Sequence, residues 1–237
     1  MTAERRRVRS IDLENPFLES FEGLCEILLV RHGEQQFRDN IPLGEALDAP
    51  LSELGRRQAE AVGERLKPAR LGAVYCSPMK RAHDTAQAIA KHHGLEPIVR
   101  PELTEIDLWQ RAPQDKGLLD IYSRDELVDI YREVRETRRH DAYPHVEDPE
   151  AFRKRIVGAI DQIAAEAEGQ RIVIACHGGV INTYLSHLFK SAYDNLVPVH
   201  HTSITVVRAA DSRREVLTIN DYSHVMAFQS SRGDLNA

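Results

Sequence analysis

Apolar residues along this chain come in short unbroken runs, separated by longer stretches in which they recur every three or four positions. The first run, Ile27-Leu28-Leu29-Val30, is rich in branched residues and reads as a strand covered on both faces. Similar runs over 73–76, 97–100 and 171–176 predict three more strands. Between them the period is helical. Residues 52–67 carry Leu54, Gln58, Ala61, Val62 and Leu66 on one stripe, with Ser52 as N-cap. Residues 77–93 turn Ala82, Ala86, Ile89 and Ala90 inward, with Ser77 as N-cap, Pro78 at the first helical position and Gly94 as the stop. Ser123 and Glu126 form a capping box for a helix bearing Leu127, Ile130, Tyr131 and Val134. Asp148-Pro149 caps a helix to about residue 168, with Phe152, Ile156, Ile160 and Ile163 on its face. A helix over 180–189 precedes two strands, 202–208 and 215–220, that can pair as a hairpin around Asp211. This order predicts an α/β three-layer sandwich. Its central sheet is mainly parallel, with one antiparallel edge strand and helices on both faces.

The chain has 237 residues, which suits one catalytic domain over 24–237 behind an N-terminal extension, 1–23. Residues 106–147 are the least regular part and read as a variable rim. A net charge of −6 argues against a nucleic-acid partner, and no apolar run is long enough to span a membrane. Three cysteines, Cys25, Cys76 and Cys176, each beside an apolar run, fit reduced buried thiols better than a disulfide framework. A cytoplasmic protein is expected, and a homodimer is left open.

The polar groups that follow the strands change the picture from fold to chemistry. Arg31 and His32 follow the first, Ser77 and Arg81 the second, Glu105 the third and His177 the fourth. Ligands of open α/β sheets bind beyond the carboxyl ends of the strands, so these side chains converge there. Two arginines and two imidazoles beside a helix start make an anion site, and the guanidinium fork matches phosphate oxygens. Arginines disfavour a charged imidazole, leaving a neutral nucleophile. Glu105 is placed to protonate a departing alkoxide, with Asp107 as the less favoured acid. His92-His93 close a helix, and His200-His201 lack a third partner at metal-ligand spacing, so no metal is expected.

Leu29-Val30-Arg31-His32-Gly33-Glu34 resembles the signature of the histidine phosphatase superfamily, the phosphoglycerate mutase-like proteins. The likeness extends, in order, through Pro50-Leu51-Ser52-Glu53-Leu54-Gly55, Ser77-Pro78 with Arg81-Ala82, Leu103-Thr104-Glu105, Cys176-His177-Gly178-Gly179 and Thr202-Ser203-Ile204. It covers roughly residues 26–224. The resemblance implies a two-step reaction without metal or cofactor. His32 would carry a phosphohistidine. Arg31, Arg81 and His177 would hold the transferring oxygens, and Glu105 would donate the proton. Gln35, Arg38 and Gly178 are the implied substrate contacts, although many relatives have Ser or Thr in place of Gln35 and Asn in place of Arg38. The glycines usual after the acid residue are absent from 106–113, so the rim near Trp109 does not carry over.

The expected function is therefore a phosphomonoesterase acting on a small phosphorylated metabolite. A phosphoglycerate mutase and a catalytically silent phosphate-binding module are the alternatives. Residues 106–122 and 138–146 are charged and contain prolines, which favours an open rim and hydrolysis.

Overall fold

The computed structural model describes residues 23–36, 40–211 and 213–230. Its sheet is built from β1 (Cys25–Arg31), β2 (Ala73–Cys76), β3 (Ile98–Val99), β4 (Arg171–Cys176), β5 (Ile204–Ala210) and β6 (Arg213–Asp221). The strands lie in the order β3-β2-β4-β1-β5-β6. The first four run parallel, while the β5–β6 hairpin closes one edge, with β5 antiparallel to β1. The helices are α1 (Leu43–Ala46), α2 (Glu53–Leu66), α3 (Lys80–Ala90), α4 (Leu118–Ile121), α5 (Arg124–Thr137), α6 (Pro149–Glu166), α7 (Gly178–Leu188) and α8 (Met226–Ser230). The expected extension 1–23 lies almost wholly outside the described residues.

The unbroken apolar run of β1 is explained by two cores. Ile27 and Leu29 face Phe152, Ile156, Ile160 and Ile163 of α6 together with residues of α7. Leu28 and Val30 face Val62 and Leu66 of α2 and Ile89 of α3. Alternate side chains therefore enter opposite layers, each burial worth about 2 kcal/mol.

The capping chemistry read from the sequence is present at three helices. Ser52 Oγ accepts from Gly55 N at 2.9 Å, Ser123 and Glu126 form the reciprocal box, and Asp148 accepts from Glu150 N at 2.9 Å. At α3 the reading needs correction. The helix starts at Lys80, not at Ser77-Pro78, and Met79 occupies the cap position without a side-chain bond. Ser77 is turned to another task, described below. The third strand shrinks to two exposed residues, because its outer side has no neighbour to bury it.

The rim is folded as a cap. Leu43 of α1 and Trp109 and Ala112 of the rim form a small separate core, edged by Leu118, Tyr122, Leu127 and Tyr143. Among the described residues no helix is long and apolar enough to cross a membrane.

Candidate active site

Backbone pairing delivers the two imidazoles side by side. β1 and β4 run in register with Arg31 opposite Cys176, and His32 N donates to Cys176 O at 2.9 Å. Parallel strands in register place His32 and His177 at the same edge, with ring centroids 5.1 Å apart. The loop after His32 is pressed onto the start of α2. A Cβ on Gly33 would meet Gly55 O at 2.4 Å, and one on Gly55 would meet Glu34 O at 1.9 Å. Glycine at both positions is what lets the two backbones touch. Gly33 N also donates to Thr85 Oγ1 of α3 at 3.1 Å, tying the loop to the helix that carries Arg81.

These bonds decide the protonation of His32. Its Nδ1 lies 2.6 Å from Gly33 O, and a carbonyl oxygen only accepts, so Nδ1 carries the proton. Arg81 Nε points at Nε2 from 3.1 Å, and a guanidinium only donates, so Nε2 presents its lone pair. The ring is 3 % exposed. Burial, followed by His177, Arg81 and Arg31, holds its pKa well below the usual imidazole range. His32 is thus a neutral imidazole with an oriented, unprotonated Nε2.

Arg81 is itself fixed by Leu47 O, which accepts from Nη1 at 2.7 Å. Arg31 Nη1 donates to Val199 O at 2.5 Å, while its Nε is buried without a hydrogen-bond partner. His177 Nε2 meets Ser77 Oγ at 2.8 Å, and its Nδ1 is likewise buried without a partner. Burial first, then Arg81 and Arg31, pushes the His177 pKa well down. Two buried, unpartnered polar atoms at one site are a standing cost that a bound anion removes.

Glu105 sits across this cluster. Gly179 N donates to Oε2 and Ile106 N to Oε1, both at 3.0 Å. A Cβ on Gly179 would meet Oε1 at 2.5 Å, so the carboxylate seats against bare backbone at the start of α7. Arg155 of α6 holds the turn behind it, donating to Glu102 O at 2.7 Å and Thr104 O at 2.8 Å. Asp107 is occupied elsewhere. Its Oδ1 accepts from Trp109 N at 3.0 Å, shaping the rim.

The substrate contacts implied by the sequence are met unevenly. Gly178 opens α7, and a Cβ there would lie 3.6 Å from Arg31 Nε. Gln35 bridges Leu51 through its backbone. Arg38 lies outside the described residues. Sequence reasoning missed three participants: Ser77 as the His177 partner, Arg155 as the brace, and His201. The His201 ring centroid stands 5.7 Å from that of His32. Burial, followed by Arg31, lowers its pKa to about 3, making it a third neutral imidazole here. Its only sequence signal was a position three residues before β5, the strand beside β1. Among the described residues no group of three or more His, Cys, Asp or Glu could hold a metal ion.

Comparison with known proteins gives this geometry its context. Residues 27–222 match the model of the histidine phosphatase superfamily (branch 1). Phosphoglycerate mutase-like protein 4 of Arabidopsis thaliana is 32 % identical over 205 residues, covering 85 % of this chain and 87 % of that one. The metal-independent phosphoserine phosphatase of the same plant is 32 % identical over 207 residues, covering 85 % and 84 %. Among solved structures, a phosphoglycerate mutase from Bacillus anthracis str. Sterne superposes with a TM-score of 0.67 at 26 % identity, over 86 % of this chain and 96 % of that one.

Proposed function

Because the chain belongs to the histidine phosphatase superfamily (branch 1), we propose that it hydrolyses a small phosphorylated metabolite through a phosphohistidine on His32, with Glu105 as the proton donor. Its class is that of a metal-independent histidine phosphatase, in keeping with relatives named as phosphoserine phosphatases. The observation that carries the mechanism is the tautomer of His32. Nδ1 is committed to Gly33 O, so the Nε2 lone pair faces the space ringed by Arg81, Arg31 and His177.

In the first step Nε2 attacks phosphorus and the ester oxygen leaves with a proton from Glu105. Arg31 and Arg81 hold the equatorial oxygens, and His177 takes one through its unpartnered Nδ1. Arg81 would exchange its bond to Nε2 for one to phosphate as the P–N bond forms. In the second step water attacks the phosphohistidine and gives its proton to Glu105, restoring the resting enzyme. A cationic wall of side chains does for the transferring group what a metal ion does in other phosphatases.

The test is a phosphate-release screen over phosphorylated metabolites, using protein dialysed against EDTA and His32→Ala as control. Release by the dialysed enzyme and not by the variant supports the reading. Activity that needs added Mg²⁺ or Zn²⁺, or that survives His32→Ala, contradicts it. The mutase alternative is checked with 3-phosphoglycerate and a trace of 2,3-bisphosphoglycerate. Isomerisation much faster than phosphate release would replace hydrolysis as the main activity.

A further inference from the structure

Three adjacent strands, β4, β1 and β5, each bring an imidazole to the same edge of the sheet. His177 follows β4, His32 follows β1, and His201 precedes the antiparallel β5. The His32 ring therefore has a neighbour on each flank, His177 at 5.1 Å and His201 at 5.7 Å between centroids. The mechanism above uses the first two rings and leaves His201 without a task. His201 is half-buried, and its ring makes no hydrogen bond among the described residues. Burial, followed by Arg31, His200 and Arg81, keeps it neutral, so the ring carries one N–H with no partner. That donor stands in the field of both phosphate-holding arginines.

A second, independent observation concerns the next residue. Thr202 is buried with φ 57°, a left-handed conformation that a β-branched residue rarely adopts. Its N–H donates to Arg31 O at 3.0 Å, at the end of the strand that carries His32. Its Oγ1 lies 2.7 Å from His201 O, and a carbonyl only accepts, so the hydroxyl proton is spent there. The same Oγ1 then accepts from His224 Nε2 at 3.2 Å. The turn at Thr202 thus ties His201 to the end of β1 on one side and to the chain after β6 on the other. His200 is engaged elsewhere. Its ring stacks on Tyr222 at 3.9 Å, and its Nδ1 accepts from Asn220 Nδ2 at 3.1 Å. Strain kept in the residue that sets the position of His201 points to use of that ring.

We infer that His201 is a further residue of the phosphoryl site, whose ring N–H donates to an oxygen of the phosphoryl group as that group is carried by His32, from the flank opposite His177. The inference rests on the phosphatase reading above and deepens it. A group beside the nucleophile does not reach the far apex, where the leaving oxygen and then the water stand. His201 therefore serves an equatorial oxygen and leaves the proton transfers to Glu105. No bond is made or broken at its ring, and its proton stays in place. The imidazole of His32 becomes cationic as its lone pair attacks. A neutral donor stabilises the phosphoryl oxygens without repelling that charge.

The test compares the wild type with His201→Asn, which keeps a donor and loses bulk, and His201→Leu, which keeps bulk and loses the donor. Hydrolysis of p-nitrophenyl phosphate is read together with inhibition by vanadate, a five-coordinate mimic of the transferring group. In His201→Leu, kcat and vanadate affinity should each fall about tenfold or more. In His201→Asn both should stay within about threefold of the wild type. A loss in His201→Asn as large as in His201→Leu shows packing alone and overturns the inference, as does no loss in either. A second measurement needs no variant activity. In wild-type protein with isotopically labelled histidine, the His201 ring signals are identified by their absence from His201→Asn. They should shift when vanadate saturates the site, and signals that do not move overturn the inference. Absence of any p-nitrophenyl phosphate hydrolysis by the wild type would instead overturn the phosphatase reading, and this inference with it.

Discussion

The ends of β1 and β4 and the cap over 106–147 border one space and are built on opposite terms. At the strand ends His32 is 3 % and His177 0 % exposed, and backbone pairing sets their spacing, while Arg81, 5 % exposed, reaches them from α3. In the cap, α5 has no buried residue, and a core of three buried side chains holds the segment together. The two regions divide the labour. Phosphoryl transfer needs atoms held to a fraction of an ångström, which only packed strands supply. Choosing a substrate needs charge and room at the right distance, and a half-exposed helix provides both.

The comparison breaks if the chemistry survives damage at the strand ends. His32→Ala should lower kcat/KM on the order of 10⁴-fold or more for every substrate, because no second nucleophile has an oriented lone pair. Glu105→Gln should cost roughly 10²–10³-fold for alkyl phosphates, whose leaving groups need a proton. An aryl phosphate needs little protonation and should lose only about tenfold or less. Equal losses on both types would contradict the proton-donor role.

A smaller effect separates the regions by pH. Burial, then the neighbouring cations, holds His32, His177 and His201 below their unfolded values, with His201 at about 3. Below the unfolded value, near pH 6.5, the unfolded chain takes up protons that the folded site refuses. Stability is therefore full above that pH and falls as the pH drops, by ~1.4 kcal/mol per unit for each fully shifted imidazole. Urea unfolding in phosphate-free buffer at pH 7 and pH 5 should show the loss. In His201→Asn the loss should be smaller by about 2 kcal/mol, a single imidazole's share over that window. An unchanged difference would contradict the buried, neutral state of His201.

The smallest effect is expected in the cap. Trp109→Ala removes the central ring of the small core and should raise KM for metabolite substrates several-fold. Hydrolysis of p-nitrophenyl phosphate, read as kcat, should change less than threefold or so, because the strand-end bonds do not depend on Trp109. A collapse of aryl phosphate turnover would show that the two regions are not separable.

What was legible in the chain follows the same division. Strand-end residues announce themselves because an apolar run must be followed by whatever stands at the site edge, and Arg31, His32 and His177 were read that way. The N-caps of α2, α5 and α6 are local chemistry and were equally readable. Ser77 misled because a serine before a proline reads as an N-cap, whereas its hydroxyl is taken by His177, 100 positions away. His201 was read only as a metal-ligand candidate, since its neighbours come from tertiary pairing of β5 with β1 and leave no spacing signature. The helices α1 and α4 have four residues each, too few for a period to show.

The most direct test of the account is to trap the covalent intermediate. Enzyme mixed with a substrate labelled in its phosphoryl group is quenched within milliseconds in alkali, which spares phosphohistidine, and the labelled peptide is identified by mass spectrometry. The account predicts one labelled residue, His32. It also predicts that Glu105→Gln slows the appearance of the label from an alkyl phosphate. Label on His177, or steady phosphate release with no histidine labelled, would contradict it.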